Sequence, residues 1–134
     1  AVMEQAILNG DGGEIPENNV EALLKAIERY GADDSLQVVM IADNAARVRD
    51  LALAHKLDRP VPTILCGVKD AINPDYITLA WYTGGSVLTI DQVIRFDTPR
   101  EKIRRRGLKI NKLRYKLING SYQYFELNHR RGMW

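Results

Sequence analysis

Cysteine occurs once in the 134 residues, as Cys66, so no disulfide forms within the chain. Histidine occurs twice, as His55 and His129, and two histidines with one thiol make no zinc-type cluster. Serine is confined to Ser35, Ser86 and Ser121, each isolated. The nucleophile elbow of serine hydrolases, the phosphate-binding loop of nucleotide hydrolases and the glycine fingerprint of dinucleotide enzymes are all missing. A hydrolase using Asp43 as nucleophile would also need a lysine and a phosphate loop that the chain does not show. These gaps point away from enzymes. No apolar run approaches the roughly 20 residues that cross a bilayer, and no signal-like segment precedes the body. The first residue is Ala and not Met, so a processed or truncated chain is expected. The compartment is left open.

Hydrophobic residues make up 46% of the chain and charged residues 27%, enough for one modest core. Three short apolar runs read as strands: Leu36 to Asn44, Val61 to Cys66 and Ser86 to Ile90. Helical patterns separate or precede them. Val20, Leu23, Leu24 and Ile27 fall on one face of a helix that stops at Gly31, and Val2 to Leu8 reads as the end of another. Residues 45–56 read as an amphipathic helix with Val48, Leu51 and Ala52 inward. Asn73-Pro74-Asp75 opens a short helix that ends at Thr83-Gly84-Gly85. The order β-α-β-α-β favours a parallel sheet with right-handed crossovers. In such sheets ligands collect beyond the carboxyl ends of the strands, which makes Asp43 the first residue of interest. Asp43 and Asn44 also suit the cap of a helix beginning at Ala45, and Glu17 suits a helix first turn. Cys66, in an apolar strand pattern, reads as a buried structural thiol.

Three segments in order carry a resemblance: GDGGEIPENNVEALLKAI, LQVVMIADNAARVRDL, and VPTILCG followed by INPDYITLAWYTGGSVLTI. Together they resemble the carboxyl-terminal part of a von Willebrand factor type A domain, over residues 9 to about 94. The resemblance implies a Rossmann-like three-layer α/β sandwich, of which this chain holds the second half. It also implies a metal-ion-dependent adhesion site, with Glu17 and Asp43 as magnesium ligands and Asp11, Glu14 and Asn44 fixing the loops around them. Magnesium takes near-octahedral oxygen ligands, commonly one or two carboxylates with hydroxyls and waters. The family's D-x-S-x-S motif, which supplies central ligands, is absent, as is the threonine ligand expected before Pro16. Three strands alone leave an unpaired apolar edge, so either the rest of the domain was cut away or left out of this chain, or a second polypeptide completes the sheet, or the fold has become a metal-free scaffold.

Beyond Ile90 the character changes. From Arg95 to Lys116 ten Lys or Arg face only Asp97 and Glu101, although the whole chain carries a net charge of +2. Asp97-Thr98-Pro99 marks a helix start, and Asn119-Gly120 between apolar-aromatic runs marks a hairpin. Residues 1–94 thus read as the α/β domain and 95–134 as a basic linker and β-hairpin extension. Two strands are marginal alone, so the hairpin must lean on something. The expected function is a non-enzymatic protein–protein interaction module with a possible divalent-cation-dependent site. The alternative places nucleic-acid binding or assembly on Arg100, Arg104, Arg105, Arg106, Lys109 and Lys112.

Overall fold

Leu36 to Asp43 and Val61 to Cys66 are rich in the β-branched and aliphatic residues that favour extended backbone, and each run ends in a polar turn. The computed structural model describes residues 16–32, 35–110 and 113–126. In it, β2 (Met40–Asp43), β4 (Pro62–Cys66) and β5 (Ser86–Leu88) pair in parallel, and β6 (Val93–Arg95) closes the sheet antiparallel to β5. A two-residue parallel bridge joins β1 (Pro16–Glu17) to β3 (Arg47–Val48). A second, antiparallel sheet follows: β7 (Gly107–Ile110), β8 (Leu113–Ile118) and β9 (Ser121–Glu126), in that order. The chain is a mixed α/β fold with one mostly parallel and one antiparallel sheet.

Helix α1 (Asn19–Tyr30) buries Val20 and Leu23, as its spacing predicts, and ends at Gly31. Its own Asn18 makes no side-chain cap. The Asp50 carboxylate arrives from elsewhere and accepts the backbone N–H of Val20 at 3.1 Å and of Glu21 at 2.7 Å. Two of the helix's orphan donors are thereby satisfied, and a negative charge stands at the positive end of the helix dipole.

Helix α2 (Pro74–Thr83) begins as its sequence predicts: Asn73 Oδ1 accepts the Asp75 N–H and Pro74 fills the first turn. It ends on Gly84 in the left-handed conformation, φ +70°. Gly85 then passes so close to Val61 that a Cβ there would lie 2.4 Å from the Val61 carbonyl oxygen. Tyr76, Ile77, Thr78, Leu79 and Ala80 are all buried in succession. A helix buried all round needs cover on several sides, and α2 has it. The parallel sheet lies on one side and the β7–β8–β9 sheet on another.

The hairpin turns through Asn119 and Gly120, both at positive φ as the Asn-Gly pair predicts. It leans on α2. Thr78 Oγ1 accepts the Tyr122 N–H at 2.9 Å while donating to the Pro74 carbonyl. The Tyr115 hydroxyl donates to the Ile72 carbonyl and accepts the Ile72 N–H, each at 2.8 Å. The Tyr122 ring meets Phe96, and its hydroxyl donates to the Arg105 carbonyl. Ile110, Tyr115 and Tyr122 thus join the cluster that contains Val20, Leu65 and Val87.

The structure departs from the sequence reading in three places. Residues 45–56 form no α-helix: β3 and a 3₁₀ helix (Leu51–Lys56) stand there instead. The donors of this stretch are captured by other groups, Ala45 N–H by Asp43, Val48 N–H by Asp75 and Arg49 N–H by the Glu17 carbonyl, so the helical ladder is not made. Cys66 is exposed, because β4 alternates and only Thr63 and Leu65 face the core. Strands β6 and β7 lie in segments whose short mixed patterns gave no strand signal. The readings made for Val2 to Leu8, Asp11, Glu14, Lys112 and His129 lie outside the described residues.

Among the described residues, only one face of the parallel sheet is covered. Met40, Thr63, Val87 and Ile94 form a buried row, and Ile41, Ile64, Leu88 and Val93 form the row behind it. Ile41 and Val93 are each 57% exposed and Ile64 39%. Among the described residues, strand β2 has a single neighbour, β4, and its other edge is unpaired in the sheet.

Candidate functional site

At the carboxyl end of β2 the chain turns sharply. Asp43 Oδ1 accepts the Ala45 N–H at 2.8 Å, and the Asp43 carbonyl accepts from Ala46. Asn44 then faces the loop before α2: its Nδ2 donates to the Ala71 carbonyl and its Oδ1 accepts the Asn73 N–H. Asn73 Nδ2 donates back to the carbonyls of Asn44 and Ala46, each at 3.1 Å. Two amide side chains therefore tie the ends of two connections together.

Tyr76 stands behind this tie. Its hydroxyl donates to the Ala46 carbonyl at 2.8 Å. Burial, followed by the nearby charges of Glu17, Asp75 and Asp43, pushes its pKa up to about 12. The two carboxylates that the sequence singles out thus share an electrostatic neighbourhood with a third, Asp75, that it did not single out. The short β1–β3 bridge brings Glu17 there by pairing it with Val48. The roles of Asn73, Asp75 and Tyr76 were hidden by their plain helix-start grammar: each residue type is accounted for by capping alone, and its longer-range partner is not visible in the spacing.

Between these elements lies a cleft of about 410 Å³ that includes Asn44, Arg47, Asn73, Asp75 and Tyr124 in its lining. It offers an acid, a guanidinium, two amides and a phenol, a set suited to polar recognition.

A magnesium site can be tested against these donors. Glu17 and Asp43 supply carboxylate oxygens, and Asn19 Oδ1 is a buried oxygen with no hydrogen-bond partner among the described residues. Such a neutral oxygen is a donor that a hard cation accepts. The set is nevertheless partial: among the described residues no three His, Cys, Asp or Glu side chains group around one point. Asp43 also spends one oxygen on the Ala45 N–H.

The basic residues distribute over three elements. Helix α3 (Pro99–Arg104), capped by Thr98, carries Arg100 and Arg104, with Arg105 just beyond. Arg104 and Arg105 both reach Glu101, at 3.0 and 3.3 Å, and the two guanidiniums hold that carboxyl below its usual range. Lys102 sits over the Trp81 ring, 5.2 Å from its centre. Arg106 is exposed at the entry to β7, and Lys109 lies in β7 opposite Arg114 of β8. No helix among the described residues is long and apolar enough to cross a membrane.

Comparison of the chain with protein-family models, with curated proteins and with solved structures finds no match.

Proposed function

We propose that the chain is a non-enzymatic protein–protein interaction module of the von Willebrand A type, whose sheet is completed by a further polypeptide segment along β2. One observation carries this reading: the apolar row Ile41–Ile64–Leu88–Val93 runs across all four strands on a face that nothing among the described residues covers. Parallel sheets are covered on both faces, because their strands are apolar on both. The open edge of β2 offers backbone groups for one more strand, and the bare row offers a seat for an amphipathic helix. Val39, 52% exposed just before β2, extends the apolar strip.

Asp43 ends the same strand, and Glu17 lies in β1, paired with Val48 a few residues after it. A completing segment that carries hydroxyl and carboxylate ligands would finish a magnesium site with Glu17 and Asp43, and the cation would bridge to a partner's carboxylate. The orphaned Asn19 oxygen supports this reading, since it is a buried neutral oxygen with no hydrogen-bond partner among the described residues.

Cys66 reports on the idea directly, because it lies on the bare face beside Asp43 in register. Native mass spectrometry of the purified material, with and without chelator, should show a second polypeptide and a magnesium ion, and the thiol of that complex should resist maleimide. A chain that stays alone and labels at Cys66 under every condition tried would sink the proposal. Retention of the partner in chelator would sink the metal bridge alone.

A further inference from the structure

The cleft between the Asn44 turn and the start of α2 holds two opposite charges that do not meet. Arg47 and Asp75 both line it, together with Tyr124, yet among the described residues no ion pair joins them and the Arg47 guanidinium has no partner. Arg47 is exposed and Asp75 half-buried.

The loop that walls the cleft has already spent its own polar groups. The carbonyls of Ala71, Ile72, Asn73 and Pro74 accept, in turn, from Asn44 Nδ2, the Tyr115 hydroxyl, the Tyr76 N–H and the Thr78 hydroxyl. The N–H groups of Ile72, Asn73 and Asp75 go to the Tyr115 hydroxyl, Asn44 Oδ1 and Asn73 Oδ1. Asp75 gives Oδ2 to the Val48 N–H at 3.0 Å and keeps Oδ1 for another donor. What the cleft offers a ligand is therefore one carboxylate oxygen that accepts, one guanidinium fork that donates, and an aromatic ring. The wall around them is tied in place, so little ordering is left for binding to do.

We infer that this cleft binds a guanine base, presented by a nucleoside or nucleotide. Guanine carries two acceptors, O6 and N7, on one edge, which a guanidinium meets bidentately, and two donors, N1–H and the 2-amino group, on the next, which a carboxylate accepts. Its flat ring stacks on an aromatic side chain. Tyr124 is 49% exposed, and its ring is steadied by Tyr115, with centroids 5.7 Å apart. A free amino acid also pairs with opposite charges, but its ammonium brings three donors, and the loop carbonyls that would take two of them are occupied. A phosphate fits worse still, because the first turn of α2 is closed by Asn73 and carries Asp75. At about 410 Å³ the cleft has the size of a small-ligand site.

Calorimetric titration and saturation-transfer NMR with guanosine test this on the full chain. Guanosine should bind saturably, and inosine, which lacks the 2-amino group, about 10-fold more weakly. GMP should bind about as guanosine does. Arg47→Gln, at an exposed position, should weaken guanosine about 10- to 100-fold through the lost bidentate pair. Asp75→Asn still offers a side-chain oxygen to the Val48 N–H, and it should bind guanosine and inosine equally. Lys109→Gln, on the second sheet, should bind as the parent does. Absence of saturable guanosine binding by the parent chain overturns the inference without any variant. So does equal binding of adenosine or of free arginine, parental affinity in folded Arg47→Gln, or an intact preference over inosine in Asp75→Asn. Binding of GMP with none of guanosine would place recognition on the phosphate and overturn the base assignment.

Discussion

Asn44 and Asn73 hold each other in both directions: Asn44 Oδ1 accepts the Asn73 N–H at 2.7 Å, and Asn73 Nδ2 donates to the Asn44 carbonyl at 3.1 Å. Through this clasp the end of β2 and the start of α2 move as one piece, and Asp43 is set by residues thirty positions away.

Replacing Asn73 by Ala removes the cap of α2 together with two bonds to the 44–46 loop. A loss of about 2–3 kcal/mol is expected, read from urea unfolding. Asn44→Ala should cost less, since the helix cap remains. A double variant no worse than Asn73→Ala would confirm that the two side chains act as a pair; full additivity would refute it.

Thr78 and Tyr115 dock the second sheet. Thr78→Val keeps the shape but leaves the Tyr122 N–H buried without an acceptor, and about 1–3 kcal/mol should be lost. Tyr115→Phe does the same to the Ile72 N–H. Hydrogen exchange should show faster opening of β8 and β9, with β2 and β4 less affected. Uniform loss of protection across both sheets would mean that they unfold only together.

Alkali should unfold the chain through its buried phenols. Burial is the leading cause of the raised pKa of Tyr76 and Tyr115, each up from 10.0 to about 12, and Tyr122 is raised as well. The fold binds these protons more tightly than the unfolded chain does. Their contribution to stability is therefore complete below pH 10 and falls away as the pH climbs through 10 toward 12. Urea midpoints measured alongside tyrosinate absorbance should stay level to about pH 10 and then drop. A decline that begins near neutrality would contradict this assignment.

Two adjacent glycines should respond differently. Gly84→Ala meets only the left-handed backbone, for about 1–2 kcal/mol. Gly85→Ala places its Cβ against the Val61 backbone, which cannot swing aside as a side chain can, and a loss of about 3 kcal/mol is expected. Equal losses in thermal or urea unfolding would show that β4 and β5 can separate at that point.

Much of this fold is legible in the chain. The β2, β4 and β5 runs, the Asn-Pro-Asp start of α2, its double-glycine end and the Asn-Gly hairpin all announce themselves, because each depends on a residue and its immediate neighbours. The stretch from Ala45 to Lys56 did not. Its apolar spacing suits a helix, but its N–H groups go to Asp43, Asp75 and Glu17, and two of those partners are brought by the tertiary fold. Cys66 was misplaced for a related reason. A run that reads as doubly buried is covered on one face only by the described residues, and strand parity puts the thiol on the other. Glu17 and Asp43 were visible as acids, whereas their shared neighbour Tyr76 follows only from the folded geometry.

Tyr122 meets Thr78 across 44 positions, and Tyr115 meets Ile72 across 43. Helix α2 is thus finished on one side only after β9 has left the ribosome. A product that stops short of Tyr122 would emerge with a ready-made helix and an uncovered apolar flank. Such a product exposes apolar surface of the kind that draws aggregation and chaperones, which makes β9 the strand on which the cover of α2 depends.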